Sequence, residues 1–343
     1  MNESRLTRLE WRWLAGILLA AAAARLAVIP LHVYAPDQSF SVDLARMGWL
    51  QMIKTTAQDT HPPLYYGLLK AWFWLGPDTM QWAQVLSVFI AIPALLVIFF
   101  LTRGLFSPAA AWAALGFASF MPYQIYWSHV ARNHQLMALA VPLSVWTGYR
   151  WLARPARARW WAMAASLALM VNTNYIALVI LPVWVLGFLI EPIPWRRRLQ
   201  LILAPIPGLL VYVPWIPVML AQMHTRGNPI SRAFFQETVW PFYLFFHSIF
   251  GRMTCYQPPV PWALFMAMEL VFVLIAVAGA RAVGRRWSFW VLMIGLPAMP
   301  VAVAYFADFS LAERHINFGV PLFMAYWGAS VVEAFHWARN KFK

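Results

Sequence analysis

Charged side chains make up only 11% of this 343-residue chain, and acidic ones number 12 against 26 Lys and Arg. A water-soluble domain carries about a quarter of its residues as Asp, Glu, Lys or Arg, so an ordinary soluble fold is excluded. Cysteine is nearly absent: Cys255 stands alone, which rules out an internal disulfide and a cysteine metal cluster and leaves it as an inert thiol. Also missing are the alternating polar and apolar segments of about 10 residues that an outer-membrane barrel needs. No internal repeat and no low-complexity linker divides the chain, so a single domain over 1–343 is expected, with no separate soluble domain.

What fills the sequence instead is apolar: 62% hydrophobic residues and a mean hydropathy of +0.61. Runs of roughly 20 apolar residues are long enough to cross a bilayer as helices. The chain therefore reads as an all-α polytopic membrane protein of about ten transmembrane helices. Its net charge of +14 points to basic flanks of membrane helices, not to nucleic acid. Arg5, Arg8 and Arg12 precede an apolar run that continues to Tyr34, too long for a cleaved signal, so a first membrane helix over 13–34 is expected.

Further spans are expected over 82–102, 109–126, 135–152, 160–172, 175–190, 200–220, 261–280, 288–306 and 316–337. The fifth and sixth are short. Between them Asn172, Asn174 and Tyr175 serve backbone groups where two helices meet. The seventh contains Pro205, Pro207, Pro214 and Pro217, tolerable only where neighbours take up the freed carbonyls. Arg103, Arg154, Arg157, Arg159, Arg196, Arg197, Arg198, Arg281, Arg285, Arg286 and the basic tail fall on one side, which the positive-inside rule makes cytoplasmic, with both termini there.

On the opposite side lies the first sizeable polar segment, 35–80, with Asp37, Asp43 and Asp59. Phe40, Leu44, Met47 and Leu50 share a helical face while Asp43 and Arg46 stand off it, which predicts a helix lying in the headgroup plane. A second interfacial helix follows, with Pro62 and Pro63 in its first turn and Trp72, Phe73 and Trp74 as interfacial aromatics. The external loop 221–260, rich in Phe and Pro, is expected to gate a site together with the stretch Pro205 to Met219. Two charges fall within spans, Arg25 and Glu269. Such residues face the bundle interior, which suggests that they pair, the rival being snorkelling of Arg25 to the headgroups.

Four segments carry a family likeness: Asp37-Gln38-Ser39-Phe40-Ser41; Asp59-Thr60-His61-Pro62-Pro63-Leu64-Tyr65-Tyr66; Ile125-Tyr126-Trp127-Ser128-His129-Val130-Ala131-Arg132; and Glu313-Arg314-His315-Ile316 with Pro321. In this order the chain resembles the GT-C glycosyltransferases, in the branch of bacterial mannosyltransferase-like and aminoarabinose-transferase-like proteins that use polyprenyl-phosphate sugars. The resemblance implies a bacterial inner-membrane enzyme with its active site on the periplasmic face. It would move a sugar from a polyprenyl-phosphate donor to a hydroxyl on a lipid or glycan acceptor, with inversion.

By the same resemblance Asp37 is the general base. Arg314 is the first choice for the donor phosphate, since a guanidinium grips phosphate oxygens in a bidentate way. Lys54, Lys70 and Arg132 come second, with Asp59, His61 and Tyr65 as further substrate-binding candidates. Gln38 and Val130 stand where the family carries acidic residues, so a divalent cation is poorly supported and no cofactor is firmly expected. Each assignment has a plainer rival: Asp37 as a turn or cap residue, Asp59 as the cap of the Pro62 helix, His61 as part of a tight turn, Arg132 and Arg314 as headgroup contacts. The departures at Gln38 and Val130 also admit a non-catalytic lipid-binding or lipid-transport protein.

Overall fold

The computed structural model describes residues 6–31, 36–59, 61–225, 274–275, 277, 279–284, 286–307 and 317–341. Arg314, Cys255, Glu269, most of the 221–260 loop and most of the span expected over 261–280 lie outside the described residues. Among the described residues the secondary structure is helical, without strands.

Helix α1 (Arg8–Val28) begins where Thr7 and Glu10 close a capping box. The Glu10 N–H donates to Thr7 Oγ1 at 3.2 Å, and the Thr7 N–H donates to the Glu10 carboxylate at 2.7 Å. The cap sets the start, so the helix begins before the apolar run does. Glu10 also meets Arg103 at 3.3 Å, tying the start of α1 to the far end of α5 (Met80–Leu105).

Three short helices occupy the opposite end of α1: α2 (Pro36–Arg46), α3 (Trp49–Thr56) and α4 (Leu64–Trp72). The single apolar face expected through Leu50 does not continue that far. Leu44 is 0% exposed but Leu50 is 67% exposed, because the helix ends before Gly48 and restarts at Trp49 with a new register. Lys70 Nζ closes the end of α2, donating to the carbonyls of Ala45 (3.3 Å) and Met47 (2.6 Å) while lying over the Trp49 ring. The prolines precede α4 rather than entering it, and Pro63 holds its cap position.

The bundle continues with α6 (Pro108–Phe120), α7 (Pro122–Trp127), α8 (His134–Ala153), α9 (Arg157–Thr173) and α10 (Ile176–Leu189). Thr79 caps α5 through the Trp82 N–H, and Ser107 caps α6 through the Ala110 N–H with Pro108 in the first turn. Helices α5, α8, α9 and α10 match the expected spans closely, whereas the span expected over 109–126 breaks at Met121, where Pro122 cannot continue the α6 hydrogen bonds and starts α7 instead. The proline-rich seventh span is instead broken into α11 (Trp195–Leu203), α12 (Ile206–Tyr212), a 3-10 turn (Val213–Trp215) and α13 (Ile216–Thr225). Neighbours serve its carbonyls: Trp160 Nε1 donates to Gln200 (2.9 Å) and Asn172 Nδ2 to Gly208 (3.2 Å).

After α13 the described residues include helical positions at 274–275, 277 and 279–283, followed by α14 (Trp287–Trp290), a π-helical turn (Val291–Gly295) and α15 (Leu296–Ala307). A 3-10 turn (Asn317–Gly319) then leads into α16 (Val320–Lys341). Four helical stretches among the described residues are long and apolar enough to cross a membrane: Arg8–Leu31, Met80–Leu105, Trp195–Gln222 and Asn317–Lys341.

The most extensive packing joins α6 to α16. Ala110, Ala114 and Ala118 recur every four residues on α6, and Gly328 of α16 lies so close that a Cβ there would fall 2.4 Å from the Ala110 carbonyl oxygen. Small residues at this spacing let two membrane helices touch backbone to backbone.

Intramembrane Arg25 is 1% exposed and does not snorkel. Its guanidinium donates to the Ala21 carbonyl of its own helix (3.0 Å) and to the Ala118 (3.0 Å) and Ser119 (2.7 Å) carbonyls at the C-terminal end of α6, where the helix dipole favours a cation. Its suggested partner Glu269 is outside the described residues.

Candidate active site beside the α2–α4 helices

One guanidinium nitrogen gathers most of this site. Arg132 lies in the turn between α7 and α8, and its Nη1 donates to the Asp37 carbonyl (3.2 Å), to Ser41 Oγ (3.3 Å) and to the Tyr66 hydroxyl (3.2 Å). Arg132 is buried, so these bonds form with little competition from water. The same turn is held a second time, since Gln38 Oε1 accepts the Ala131 N–H at 2.9 Å. From α5, Ser87 Oγ donates to the Val130 carbonyl at 2.8 Å. Residues 95 positions apart, Asp37 and Arg132, thus share one small volume.

Tyr66 passes the connection on. Its hydroxyl donates to Asp59 Oδ2 at 2.9 Å. Asp59 therefore does not cap α4, whose cap position carries no side-chain bond; its carboxylate reaches inward and balances Arg132 through a phenol. Burial pushes the Tyr66 phenol well above the usual tyrosine range; Arg132 opposes that rise and the Asp59 charge adds to it. The fully buried Tyr65 phenol is raised in the same way, chiefly by burial, with Ser87 and Arg132 acting against it. Both rings hold their protons, and Tyr66 acts as a hydrogen-bond relay between Arg132 and Asp59 rather than as a base.

A second chain of bonds reaches the Asp59 turn from α13, and no sequence signal singled it out beyond Tyr175. Gln222 Nε2 donates to the last carbonyls of α3, Thr56 (3.1 Å) and Ala57 (3.0 Å). Its Oε1 accepts from the Tyr175 hydroxyl, which in turn accepts from Trp215 Nε1 at 2.8 Å. Tyr175 is pushed up to about 12, first by burial, and the Asp59 charge contributes in the same direction. Asn172 and Asn174 do serve backbone groups: Asn172 donates to Ala168 and Gly208, and Asn174 accepts from the Ile176 N–H.

Residues 60–220 match the family model described as dolichyl-phosphate-mannose-protein mannosyltransferase. In three dimensions the chain is similar to ArnT from Cupriavidus metallidurans bound to undecaprenyl phosphate, with a TM-score of 0.63 at 16% identity over 93% of this chain. The apo state of the same protein gives a TM-score of 0.62 at 16% identity, also over 93% of this chain. The chain therefore shares its fold with those two structures. The chain spans 60% and 59% of the length of those two structures. Comparison with curated protein sequences finds no match.

Within this fold the remaining candidates divide. Asp37 lies in the first turn of α2 with its side chain exposed, beside the Arg132 cluster that grips its backbone. Lys54 is exposed on α3. Lys70 spends its ammonium on the end of α2. His61 is half-buried in the turn that leads from Asp59 to Pro62. Gln38 has a neutral task as acceptor for the Ala131 amide, and Val130 contributes its carbonyl to Ser87. Among the described residues no three of His, Cys, Asp or Glu stand close enough together to hold a metal ion.

Proposed function

We propose that this protein transfers a sugar from a polyprenyl-phosphate donor to a hydroxyl on a lipid or glycan acceptor, at the periplasmic face of a bacterial inner membrane. The observation that supports it most is the Arg132 cluster, which fixes the first turn of α2, and with it Asp37, against buried polar groups while leaving the Asp37 carboxylate exposed. Asp37 takes the proton of the acceptor hydroxyl as that oxygen bonds to the anomeric carbon. The carbon–oxygen bond to phosphate breaks, and its electron pair leaves with the phosphate. A phosphate leaving group needs cations rather than an acid. Lys54 is an exposed cation at this end of the bundle, and Arg314 keeps the role that its motif implies. Attack opposite the leaving group inverts the anomeric centre.

A second reading, a lipid-binding or lipid-transport protein without turnover, is favoured by one observation: Gln38 is committed to holding a backbone amide. Asp37→Asn separates the two. With purified protein and a polyprenyl-phosphate sugar, the transferase reading expects transfer to be abolished while the lipid still binds and the protein stays folded. Undiminished transfer, or a wild type that moves no sugar from any such donor, would sink it.

A further inference from the structure

Four amide side chains at the site end of the bundle are buried without being fully satisfied. Gln84 lies in the second turn of α5, Asn133 and Gln135 flank the start of α8, and Asn317 begins the turn before α16; each is at most 2% exposed. Both polar atoms of Gln84 and of Asn317 have no hydrogen-bond partner among the described residues, and neither do Gln135 Oε1 and Asn133 Oδ1. Asn133 spends its Nδ2 on the Thr173 carbonyl at 3.1 Å. Leaving a buried amide group unpaired is costly, and folded proteins pair nearly all such groups.

Their placement is shared. Helices α5, α8 and α16 pack on one another, and the Asn317–Gly319 turn packs on α8. One turn along α5 from Gln84, Ser87 bonds the Val130 carbonyl, in the same loop that carries Arg132 and Asn133. The unsatisfied amides therefore lie on elements that pack together, and Gln84 and Asn133 adjoin the Arg132 cluster through Ser87 and the 130–133 turn.

Resting on the transferase reading, we propose that Gln84, Asn133, Gln135 and Asn317 form the subsite for the donor's sugar, and that this sugar is uncharged. An amide offers a donor and an acceptor side by side, and a sugar hydroxyl both donates and accepts, so unpaired amides match a ring of hydroxyls. An amino sugar asks for a carboxylate at such depth, and this set contains none. The transferring phosphate lies outside the subsite, so the amides contribute to binding of the sugar and nothing to binding of the bare lipid phosphate.

The test uses the full chain in lipid nanodiscs, titrated with polyprenyl phosphate carrying an uncharged hexose and, separately, with bare polyprenyl phosphate. Gln84→Leu and Asn317→Leu are each measured, since both exchange an amide for an apolar group of similar size. Each is expected to raise the Kd of the glycosylated lipid about tenfold, to leave that of the bare lipid unchanged, and to leave Tm unchanged or raised. A lowered Tm would show that the amides serve the fold. An unchanged Kd for the glycosylated lipid, or equal weakening of both lipids, likewise overturns the subsite. A wild type that binds the bare lipid but gains nothing from the sugar overturns the subsite and leaves lipid binding standing; one that binds neither overturns both.

Discussion

Arg25 stands in for the N–H that Pro122 lacks. The Ala118 carbonyl would accept from residue 122 if α6 ran on, but proline has no donor and the chain turns there into α7. Arg25 Nη2 supplies the missing bond at 3.0 Å from a different helix. Arg25→Leu should lower stability by at least about 2 kcal/mol, because two buried carbonyls lose their donor. In the Pro122→Ala background the same change should cost measurably less, as alanine returns an N–H. A double-mutant cycle in mixed micelles reads the coupling, and strict additivity would refute the relationship.

Arg132→Lys tests whether geometry or charge matters at the cluster. A lysine keeps the charge but replaces the rigid, planar group that holds Nη1 against the Asp37 carbonyl, Ser41 and Tyr66 with a freely rotating ammonium on a flexible stem. The expected outcome is a fall of about tenfold or more in kcat/KM for the proposed transfer, with the lipid still bound. Activity equal to wild type would show that a diffuse positive charge suffices.

The raised phenols give a pH signature. Tyr66 is protonated in the fold to a higher pH than in the unfolded chain, so its contribution is fully present below about pH 10 and is lost as pH rises through its raised folded value. Alkaline titration of tyrosinate absorbance should show a late-ionising fraction that shrinks in Tyr66→Phe and again in Tyr65→Phe. If all accessible and buried phenols titrate together at the ordinary value, the buried relay is wrong.

Gln222 is expected to hold the Asp59 turn from outside it. Gln222→Met keeps the length of the side chain and removes its donors to Thr56 and Ala57. Hydrogen exchange should quicken over residues 53–59, and stability should fall by about 1–3 kcal/mol. Exchange that stays at the wild-type rate would mean that the α3 end is secured by its own turn.

Much of the fold was legible because membrane helices announce themselves through length and caps. The spans at α5, α8, α9 and α10 follow directly from apolar runs bounded by Thr79, Asn133, Arg157 and Tyr175. Local breaks were harder: Gly48 interrupts an apparently continuous apolar face, and periodicity alone does not register a restarted helix. At the site, Asp37, Asp59 and Arg132 stand out as scarce charges, yet what joins them is a phenol and a backbone carbonyl, which carry no sequence signature. Gln84, Gln135 and Gln222 were visible only as amides near the ends of apolar runs, a signal too common to single them out without their surroundings.

The seam between α6 and α16 has a consequence for traffic. Where Gly328 meets Ala110 and Ala114, backbone touches backbone and no side chain stands between the helices that could swing aside. That wall cannot serve as a side door for a long isoprenoid tail, and sliding one helix along the other would drive bulkier neighbours into the alanine ridge. Under the proposed transfer, a lipid substrate enters from another flank of the bundle, leaving the α6–α16 seam as the fixed post against which any door has to hang.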